Sequence, residues 1–385
     1  MERGTFQLMK SVNKSTILNK IRLSEPISRA EIAKETGITP PTVSSIVKEL
    51  MAENLVEKSI LGESKGGRKP TMLLLKRSGH YVIGIDAGSN KIRGIASDLV
   101  GTILAETEIE IQPHISKEIF LESLKKVVRT IFMGIEEKDT ILGIGVAMHG
   151  VVDIASGVSL YSSNSGLRDV PIKEELEKEF NVLVMVENNS RAMALGEYWF
   201  KDHDEAESFV TINIGRGVGS GIVDKGRLCY GAQDIAGEIG HMVIDFHGKV
   251  CSCGNKGCLE TLITGDAIVQ RAKEQIEEAP DDLAAEAIYA YATEGKKDYL
   301  KVLEETGYLI GIGVVNLIHL LNPDKIVLGG GVMNSEEFLM PVIRNTIQKR
   351  ALTEKARMYT KIEVSTLKED ATILGAAALL LAELF

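Results

Sequence analysis

The spacing of apolar positions along the chain changes several times, and each change predicts a different element. In residues 29–50, RAEIAKETGITPPTVSSIVKEL, apolar side chains recur three and four apart in two short stretches, which predicts two helices. Gly37 lies between the stretches, where a turn has to form. Ser28 and Glu31 have the capping-box spacing that begins a helix. Together these features predict a helix-turn-helix.

The next segment, LVEKSILGESKGGRKPTMLLLK at 55–76, predicts two strands around a glycine-rich basic tip, a β-wing. Small hydroxyls and an amine on the second helix can reach base edges and phosphates, and a thin cationic tip fits along a phosphate backbone. The alternative is a small helical module for protein interaction. The predicted DNA contacts are Pro41, Thr42, Ser44, Ser45, Lys48, Gly66, Gly67, Arg68 and Lys69.

The distribution of charge favours the DNA-binding interpretation. Residues 1–80 hold 14 Lys and Arg against 8 Glu and no Asp, a net charge of +6, whereas the remaining residues carry −16 of the total of −10. A basic head on an acidic body indicates that the head meets a polyanion and the body does not. Because one helix-turn-helix makes few base contacts, we expect a dimer that reads a palindrome in double-stranded DNA.

From residue 80 onward, alternating strand and helix patterns predict an α/β body. Three antiparallel strands are expected first, then helices at 117–136 and 172–180 and strands at 141–153 and in NVLVMVENN. The longest apolar runs, 309–321 and 373–385, are too short to cross a bilayer and predict buried helices. The N-terminal MERGTFQLMK lacks the apolar region of a signal peptide. We therefore expect a cytoplasmic protein with no membrane partner.

One strand of the body delivers a carboxylate and two amides to the start of a helix. Glu187, Asn188 and Asn189 follow the apolar run NVLVMV. Polar side chains where a strand runs into a helix usually face a ligand. The hairpin GIDAGSNKIRG, after the first strand of the body, is as consistent with a plain turn as with nucleotide binding.

The densest cluster of metal-binding side chains lies in residues 238–260, EIGHMVIDFHGKVCSCGNKGCLE. Three thiolates and one imidazole, from Cys251, Cys253, Cys258 and His241, satisfy tetrahedral zinc, and the glycine-rich spacing lets them converge. With four protein ligands, one zinc per chain would be structural. Disulfides are the competing interpretation, which a cytoplasmic location disfavours. Cys229 lies outside the cluster and is expected to be a buried thiol.

The GGRKP wing, the GEIGH segment, the CSCGNKGCLE cluster and the LGGGV turn resemble the ROK family of repressors, open reading frames and sugar kinases. The resemblance covers essentially the whole chain and points to the DNA-binding repressor branch, with an arrangement similar to that of xylose repressors. It implies a winged helix-turn-helix DNA-binding domain followed by an α/β actin-like (ribonuclease H-like) two-lobed sugar-binding body. The expected domains are 1–78 for the head, 79–195 with about 372–385 for the first lobe, and 196–371 for the second lobe with the zinc site and a dimerisation surface.

The resemblance also implies a sugar site in the cleft between the lobes. Carboxylates and amides suit it, because they accept and donate in the paired geometry that vicinal diols need. The histidine of the site is expected to bind zinc through one ring nitrogen and a sugar hydroxyl through the other. By motif match, the sugar-binding residues are Gly150, Asn164, Asn188, Asn189, Glu238, His241 and Glu260.

Three departures from the family's kinases argue against catalysis. Asn189 replaces the Asp that these kinases use as general base, and an amide is not basic near neutral pH. Losing a positioned base costs about 10²–10⁴-fold in rate. Ser89 and Asn90 replace the Thr and Gly of the phosphate hairpin, and Arg216 stands where a small hydroxyl residue is usual.

We therefore expect no catalytic residues and a sugar-responsive transcriptional repressor. It binds operator DNA as a homodimer or tetramer, and a monosaccharide effector, xylose or a glucose-like sugar, changes its DNA affinity. The alternative is an ATP-dependent sugar kinase of the ROK type, similar to glucokinases or N-acetylglucosamine kinases, that carries a DNA-binding head. A third possibility is a constitutive DNA-binding scaffold with a vestigial pocket.

Overall fold

The N-terminal head is a three-helix unit with a small sheet. The computed structural model describes residues 6–61, 70–112, 115–135, 141–162, 165–201 and 206–385. The helices of the head are α1 (Phe6–Ser24), α2 (Arg29–Thr36) and α3 (Pro40–Ala52). Its strands are β1 (Ile27–Ser28), β2 (Val56–Leu61) and β3 (Thr71–Leu75), which pair in the order β1-β3-β2.

Local interactions in the head confirm the predicted helix-turn-helix. The Ser28 hydroxyl accepts from the Glu31 amide at 3.3 Å, and the Ser28 amide donates to the Glu31 carboxylate at 2.8 Å, forming the capping box. Gly37 ends α2 with φ of 70°, in the left-handed region that favours glycine. Helix α1 was not predicted. The wing strands β2 and β3 are present, and the predicted contacts at the wing tip, Gly66, Gly67, Arg68 and Lys69, lie outside the described residues.

The first lobe is built on a five-stranded sheet. The elements, in chain order, are β4 (Tyr81–Ala87), β5 (Lys91–Ser97), β6 (Ile103–Glu110), α4 (Lys117–Gly134), β7 (Ile141–Met148), β8 (Val151–Asp153), β9 (Val158–Tyr161), β10 (Arg168–Val170), α5 (Ile172–Phe180) and β11 (Leu183–Asn188). The sheet order is β11-β7-β4-β5-β6, while β8, β9 and β10 form a small separate sheet. Strands β4, β5 and β6 are antiparallel, as predicted, and β7 and β11 run parallel to β4.

The second lobe repeats the plan of an antiparallel hairpin continued by parallel strands. Helix α6 (Asn189–Phe200) follows β11 and leads into this lobe. The further elements are β12 (Ser208–Ile214), β13 (Val218–Asp224), β14 (Arg227–Leu228), α7 (Glu260–Ile263), α8 (Gly265–Gln275), α9 (Ala285–Thr293), α10 (Lys297–Leu321), β15 (Lys325–Gly329), α11 (Glu336–Arg350), α12 (Glu354–Tyr359) and β16 (Lys361–Val364). The sheet order is β14-β13-β12-β15-β16, with β15 parallel to both β12 and β16. Two such lobes make an actin-like body.

Helices α6 and α13 (Ala371–Leu384) pack against each other between the two sheets. The last helix returns to the first lobe, where it lies on β4 and β7, while α6 contacts β12 and β13 of the second lobe. The two helices can approach closely because Gly375 has no side chain. A Cβ at this position would lie only 1.7 Å from the Ala192 carbonyl oxygen. The predicted lobe boundary after residue 195 falls inside α6, so this helix is shared by both lobes.

The apolar core of the head is continuous with the body. Ile17 and Ile21 of α1 and Val47 of α3 belong to the same buried cluster as Leu380 and Leu381 of α13. The head is therefore packed on the body. Among the residues that the structure describes, no helix has the length and apolarity needed to cross a membrane.

Candidate functional site

A cavity of about 400 Å³ lies between the two lobes. It opens where the start of α6, the loop between β12 and β13, and the cysteine-rich segment meet. Of the residues predicted to bind a sugar, the structure brings six together around this cavity: Gly150, Asn188, Asn189, Glu238, His241 and Glu260. The seventh, Asn164, lies outside the described residues.

The adjacent amides Asn188 and Asn189 are held differently. Asn188 caps α6, because its Oδ1 accepts from the amides of Ser190 at 2.8 Å and Arg191 at 3.2 Å. Its Nδ2 donates to the Gly150 carbonyl at 2.9 Å. The Asn189 side chain has no hydrogen-bond partner among the described residues, although the residue is only 8% exposed. Asn189 is therefore the amide that has hydrogen-bonding capacity left for a ligand.

Glu187, which was expected to face a ligand, instead forms a buried ion pair. Its Oε1 accepts from Arg191 Nε at 2.7 Å, and the two side chains are 1% and 3% exposed. Burial raises the pKa of the Glu187 carboxyl, and Arg191 opposes that shift. Arg191 Nη1 donates to the Asp234 carbonyl at 2.6 Å, so the pair ties the end of β11 to the second lobe. The expectation for Glu187 was wrong, because its carboxylate, at the end of strand β11, is taken up by Arg191 in the first turn of α6 and does not line the cavity.

Two carboxylates face the cavity from the second lobe. Glu260 Oε2 accepts from the Val218 amide at 3.3 Å, and its Oε1 accepts from the Ser252 hydroxyl at 3.3 Å. Glu238 has no side-chain hydrogen bond within the described ranges, and burial raises the pKa of its carboxyl, with the charge of His241 opposing the shift. Glu238 and Asn189 thus present unused polar groups to the same space.

The predicted metal ligands converge at the edge of this cavity. One ligand atom from each of His241, Cys251, Cys253 and Cys258 lies within 4.8 Å of all the others. The Cys253 and Cys258 sulfurs are 3.7 Å apart, and His241 Nδ1 is 3.5 Å from Cys251 Sγ. Zinc–sulfur bonds of about 2.3 Å at tetrahedral angles put sulfurs about 3.8 Å apart, so the donor set and its spacing fit zinc.

The protonation of the thiols depends on their surroundings. A hydrogen bond from the Asn255 backbone lowers the pKa of Cys253 to about 7, whereas burial raises that of Cys258 to about 12. Cys229 lies outside the cluster, as expected, but it is half-buried and not buried.

The first-lobe hairpin places a second group of polar residues beside the cavity. Asp86, the penultimate residue of β4, is half-buried, and its buried Oδ1 has no hydrogen-bond partner in the described chain. Burial raises the pKa of the Asp86 carboxyl, and the charge of the nearby His149 opposes this shift. Burial also lowers the pKa of the His149 imidazole. Arg216 Nη1 donates to the Ser89 hydroxyl at 3.4 Å. The second-lobe arginine thus reaches across to the hairpin that was considered for phosphate binding.

A second cavity, of about 570 Å³, adjoins the first in the second lobe. Gly215 and Arg216 line both cavities. Its wall is largely apolar, with Asp266, Glu286 and Ser335 among its polar members. Arg216 stands at the boundary between the two spaces.

Tyr161 and Asn213 are among the side chains lining the interlobe cavity that sequence reasoning missed. Asn213 is the penultimate residue of β12, which runs into a glycine-rich loop. Asn188 and Asn189 were predicted to face a ligand because they lie where a strand ends. The same criterion could have identified Asn213 from the sequence. Tyr161 ends β9 in the small separate sheet. Its place in the cavity wall depends on how that sheet packs on the lobe, which the sequence pattern does not indicate.

The exposed face of α3 matches the predicted DNA contacts that the structure describes. Pro41, Ser44, Ser45 and Lys48 are exposed and Thr42 is half-buried, whereas the opposite stripe is buried. The Thr42 hydroxyl lies 2.8 Å from that of Thr39. The helix therefore presents small hydroxyls and one amine on a single free face.

These features define a class of protein, namely a winged-helix head joined to an actin-like body with a polar cavity between its lobes. Known families match both parts. The ROK family matches residues 82–383, and the MarR family matches residues 11–68. The chain belongs to the ROK family.

Individual relatives resemble the chain over nearly its whole length. A xylose repressor of Caldicellulosiruptor bescii is 32% identical, with 99% of this chain and 98% of the relative aligned. The crystal structure of a ROK family transcriptional regulator, a homologue of the Escherichia coli MLC protein, aligns with a TM-score of 0.85 at 28% identity, covering 97% and 96% of the two chains. A ROK family glucokinase from Streptomyces griseus, solved with glucose and AMPPNP, aligns with a TM-score of 0.70 at 26% identity, covering 78% of this chain and 98% of the kinase.

Proposed function

We propose that the protein is a sugar-responsive transcriptional repressor. The observation that carries this proposal is the packing of a winged-helix head on a body whose interlobe cavity has Asn189 where the family's kinases are expected to have a base. The head would bind operator DNA as a dimer, and a monosaccharide bound between the lobes would change the spacing of the two heads. The similarity to a xylose repressor supports D-xylose as the first effector to test and D-glucose as the second.

In this proposal, the sugar contacts come from groups around one cavity. Asn189 and Glu238 would bind hydroxyls through polar atoms that the described protein leaves unused, and Glu260 and His241 would complete the wall. Asn188 and Gly150 would shape the site through the hydrogen bond that joins them. Asn164 remains a predicted sugar ligand.

The test is an operator-binding titration with DNA from upstream of the protein's own coding sequence. We expect one monosaccharide to change operator affinity by about 5- to 150-fold, the usual range of coupling between two sites. If neither D-xylose, D-glucose nor any other monosaccharide of a broad panel changes the affinity, the proposal is wrong.

The alternative is a sugar kinase, which the adjoining second cavity and the similarity to a glucokinase favour. An ADP-release assay with ATP and each sugar separates the two functions. We expect no turnover, because Asn189 cannot accept a proton. Turnover above about 1 s⁻¹, within the ordinary range of enzymes, would establish the kinase instead.

We further propose that the His241, Cys251, Cys253 and Cys258 cluster holds one structural zinc ion per chain. The convergence of its donor atoms supports this. Elemental analysis of the purified protein is expected to find about one zinc per chain. The Cys258→Ser protein should lack the metal and melt at a lower temperature. The Cys229→Ser protein, altered outside the cluster, should keep the metal content and the melting temperature of the wild type. Metal content unchanged in Cys258→Ser would contradict the assignment.

A further inference from the structure

Helix α6 connects the interlobe cavity to the head. Its cap and first two residues, Asn188, Asn189 and Ser190, line the cavity. Trp199 lies ten residues beyond Asn189, about 15 Å along the helix axis. The two ends of one helix therefore lie at the proposed effector site and at the contact with the head.

The cavity end of α6 is tied to the segment that carries Glu238. Arg191, in the first turn, donates to the Asp234 carbonyl at 2.6 Å and pairs with Glu187 at 2.7 Å. Asp234 precedes Glu238 by four residues. A ligand that draws Glu238 toward itself would therefore also pull on the first turn of α6.

The far end of α6 contacts the head through Arg22, in the last turn of α1. The Arg22 guanidinium lies over the Trp199 ring, 4.0 Å from its centroid, and Nη1 donates to the Trp199 carbonyl at 3.2 Å. The ring of Phe385, at the end of the chain, meets Trp199 edge-on at 5.7 Å. Burial lowers the pKa of Arg22 to about 10. Arg22 is half-buried, and its Nε also donates to the Asn19 side chain at 3.0 Å. A guanidinium held by a ring face, a carbonyl and an amide makes a directional contact, unlike the apolar packing around it.

Helix α6 is closely packed between its two ends. Residues 189–197 of α6 are all buried, and Gly196 packs against α13, where a Cβ would lie 2.2 Å from the Ala371 carbonyl oxygen. Close packing on both sides favours movement of the helix as a unit over bending. In the head, Ile17 and Ile21 join α1 to the apolar cluster that holds Val47 of α3.

We propose that α6 transmits occupancy of the interlobe cavity to the head, and that the contact of Arg22 with Trp199 is the joint through which the recognition helix α3 is repositioned. This inference rests on the proposed function. Arg22 and Trp199 are positioning residues, since neither lines the cavity nor lies on the exposed face of α3.

The experiment compares operator dissociation constants with and without saturating D-xylose or D-glucose in the full-length protein. Arg22→Met keeps a long side chain but loses the guanidinium. The matched control is Lys14→Met, which also removes a cation from α1. Lys14 pairs with Glu53, 2.6 Å away and within the head, so this substitution leaves the contact with the body intact. Calorimetry measures sugar affinity for each variant.

We expect the ratio of the two operator constants to be at least about fivefold in the wild type and in Lys14→Met. In Arg22→Met the ratio should fall to within about twofold of one, with sugar affinity in the absence of DNA unchanged. A purely structural role would change stability or sugar-free operator affinity and leave the ratio intact. A wild-type ratio preserved in Arg22→Met overturns the role of this contact as the joint. A ratio of one in the wild type with D-xylose, D-glucose and every other monosaccharide of the panel overturns the proposed function and this inference with it.

A second measurement needs neither DNA nor a variant, because Trp199 is the single tryptophan of the chain. We expect its fluorescence emission to change as sugar is added, with the same dissociation constant as calorimetry reports. Calorimetric sugar binding without any change in Trp199 emission would overturn transmission through α6.

Discussion

Two neighbouring amides show how the site divides its tasks among single residues. Asn188 uses its carbonyl oxygen to cap α6 and its amino group to hold the Gly150 carbonyl. Asn189 has no such partner in the described chain and faces the cavity. One amide therefore builds the site, and the next is available to a ligand.

Replacing each amide by alanine should separate these roles. Asn189→Ala is expected to weaken sugar binding by about 1 kcal/mol, roughly fivefold, with stability unchanged. Asn188→Ala removes a helix cap and should lower the free energy of unfolding by about 1 kcal/mol. Calorimetry and urea unfolding measure the two quantities. Equal effects of both substitutions on stability would contradict the division.

Stability should depend on pH through Asp86, a half-buried residue whose Oδ1 is buried without a partner in the described chain. Burial raises the pKa of its carboxyl above the ordinary value of 3.8, so the folded protein holds this proton more tightly than the unfolded chain. Folding stability from this group is therefore full below pH 3.8 and is lost as pH rises toward the raised folded pKa.

Asp86→Asn removes this titration and should stabilise the protein at neutral pH by about 1–3 kcal/mol, because a buried unsatisfied carboxylate is replaced by a neutral amide. The advantage should vanish when unfolding is measured below the ordinary pKa of aspartate. An advantage independent of pH would show that ionisation of Asp86 is not its cause.

At the scale of elements, the crossing of α6 and α13 depends on the absence of side chains. A Cβ on Gly375 would lie 1.7 Å from the Ala192 carbonyl oxygen, so any larger residue must separate the helices. The two helices also fill the space between the sheets, which makes their separation a disturbance of both lobes.

Gly375→Ala is therefore expected to lower the free energy of unfolding by about 1–3 kcal/mol through overpacking. Gly331→Ala is the matched control, since no atom lies within 4 Å of its added Cβ. Urea unfolding of the two variants compares them directly. A Gly375→Ala protein as stable as the control would mean that the helices separate without cost.

At the scale of the whole molecule, the charges divide by domain. The first 80 residues carry a net charge of +6, and the rest carry −16. Because phosphates repel an acidic body, we expect bound DNA to contact the head and not the body. The exposed Lys48 on α3 is one of the charges that would meet the operator backbone.

Lys48→Met should reduce the slope of the logarithm of operator affinity against the logarithm of salt concentration by about 0.9, the value for one lost phosphate contact. Lys361→Met, at an exposed position in the second lobe, should leave the slope unchanged. A salt series of binding titrations provides the measurement. Equal slopes for the wild type and Lys48→Met would place this lysine away from phosphate.

The sequence by itself determined the features that short-range interactions control. The capping box of Ser28 and Glu31, the buried stripe of α3 and the cysteine cluster join residues close together in the chain, so spacing alone predicts their geometry. The motif resemblance added the family, and six of the seven predicted sugar ligands lie around one cavity.

Only the tertiary structure decided which of these groups are used. Asn188 and Asn189 are identical side chains whose roles differ because the Gly150 carbonyl lies beside one of them. Arg22 and Trp199 are 177 residues apart in sequence, and their contact exists because α1 packs where α6 ends. Such contacts depend on how helices and sheets cross, which local periodicity does not encode, and they place the helix at the proposed effector site against the DNA-binding head.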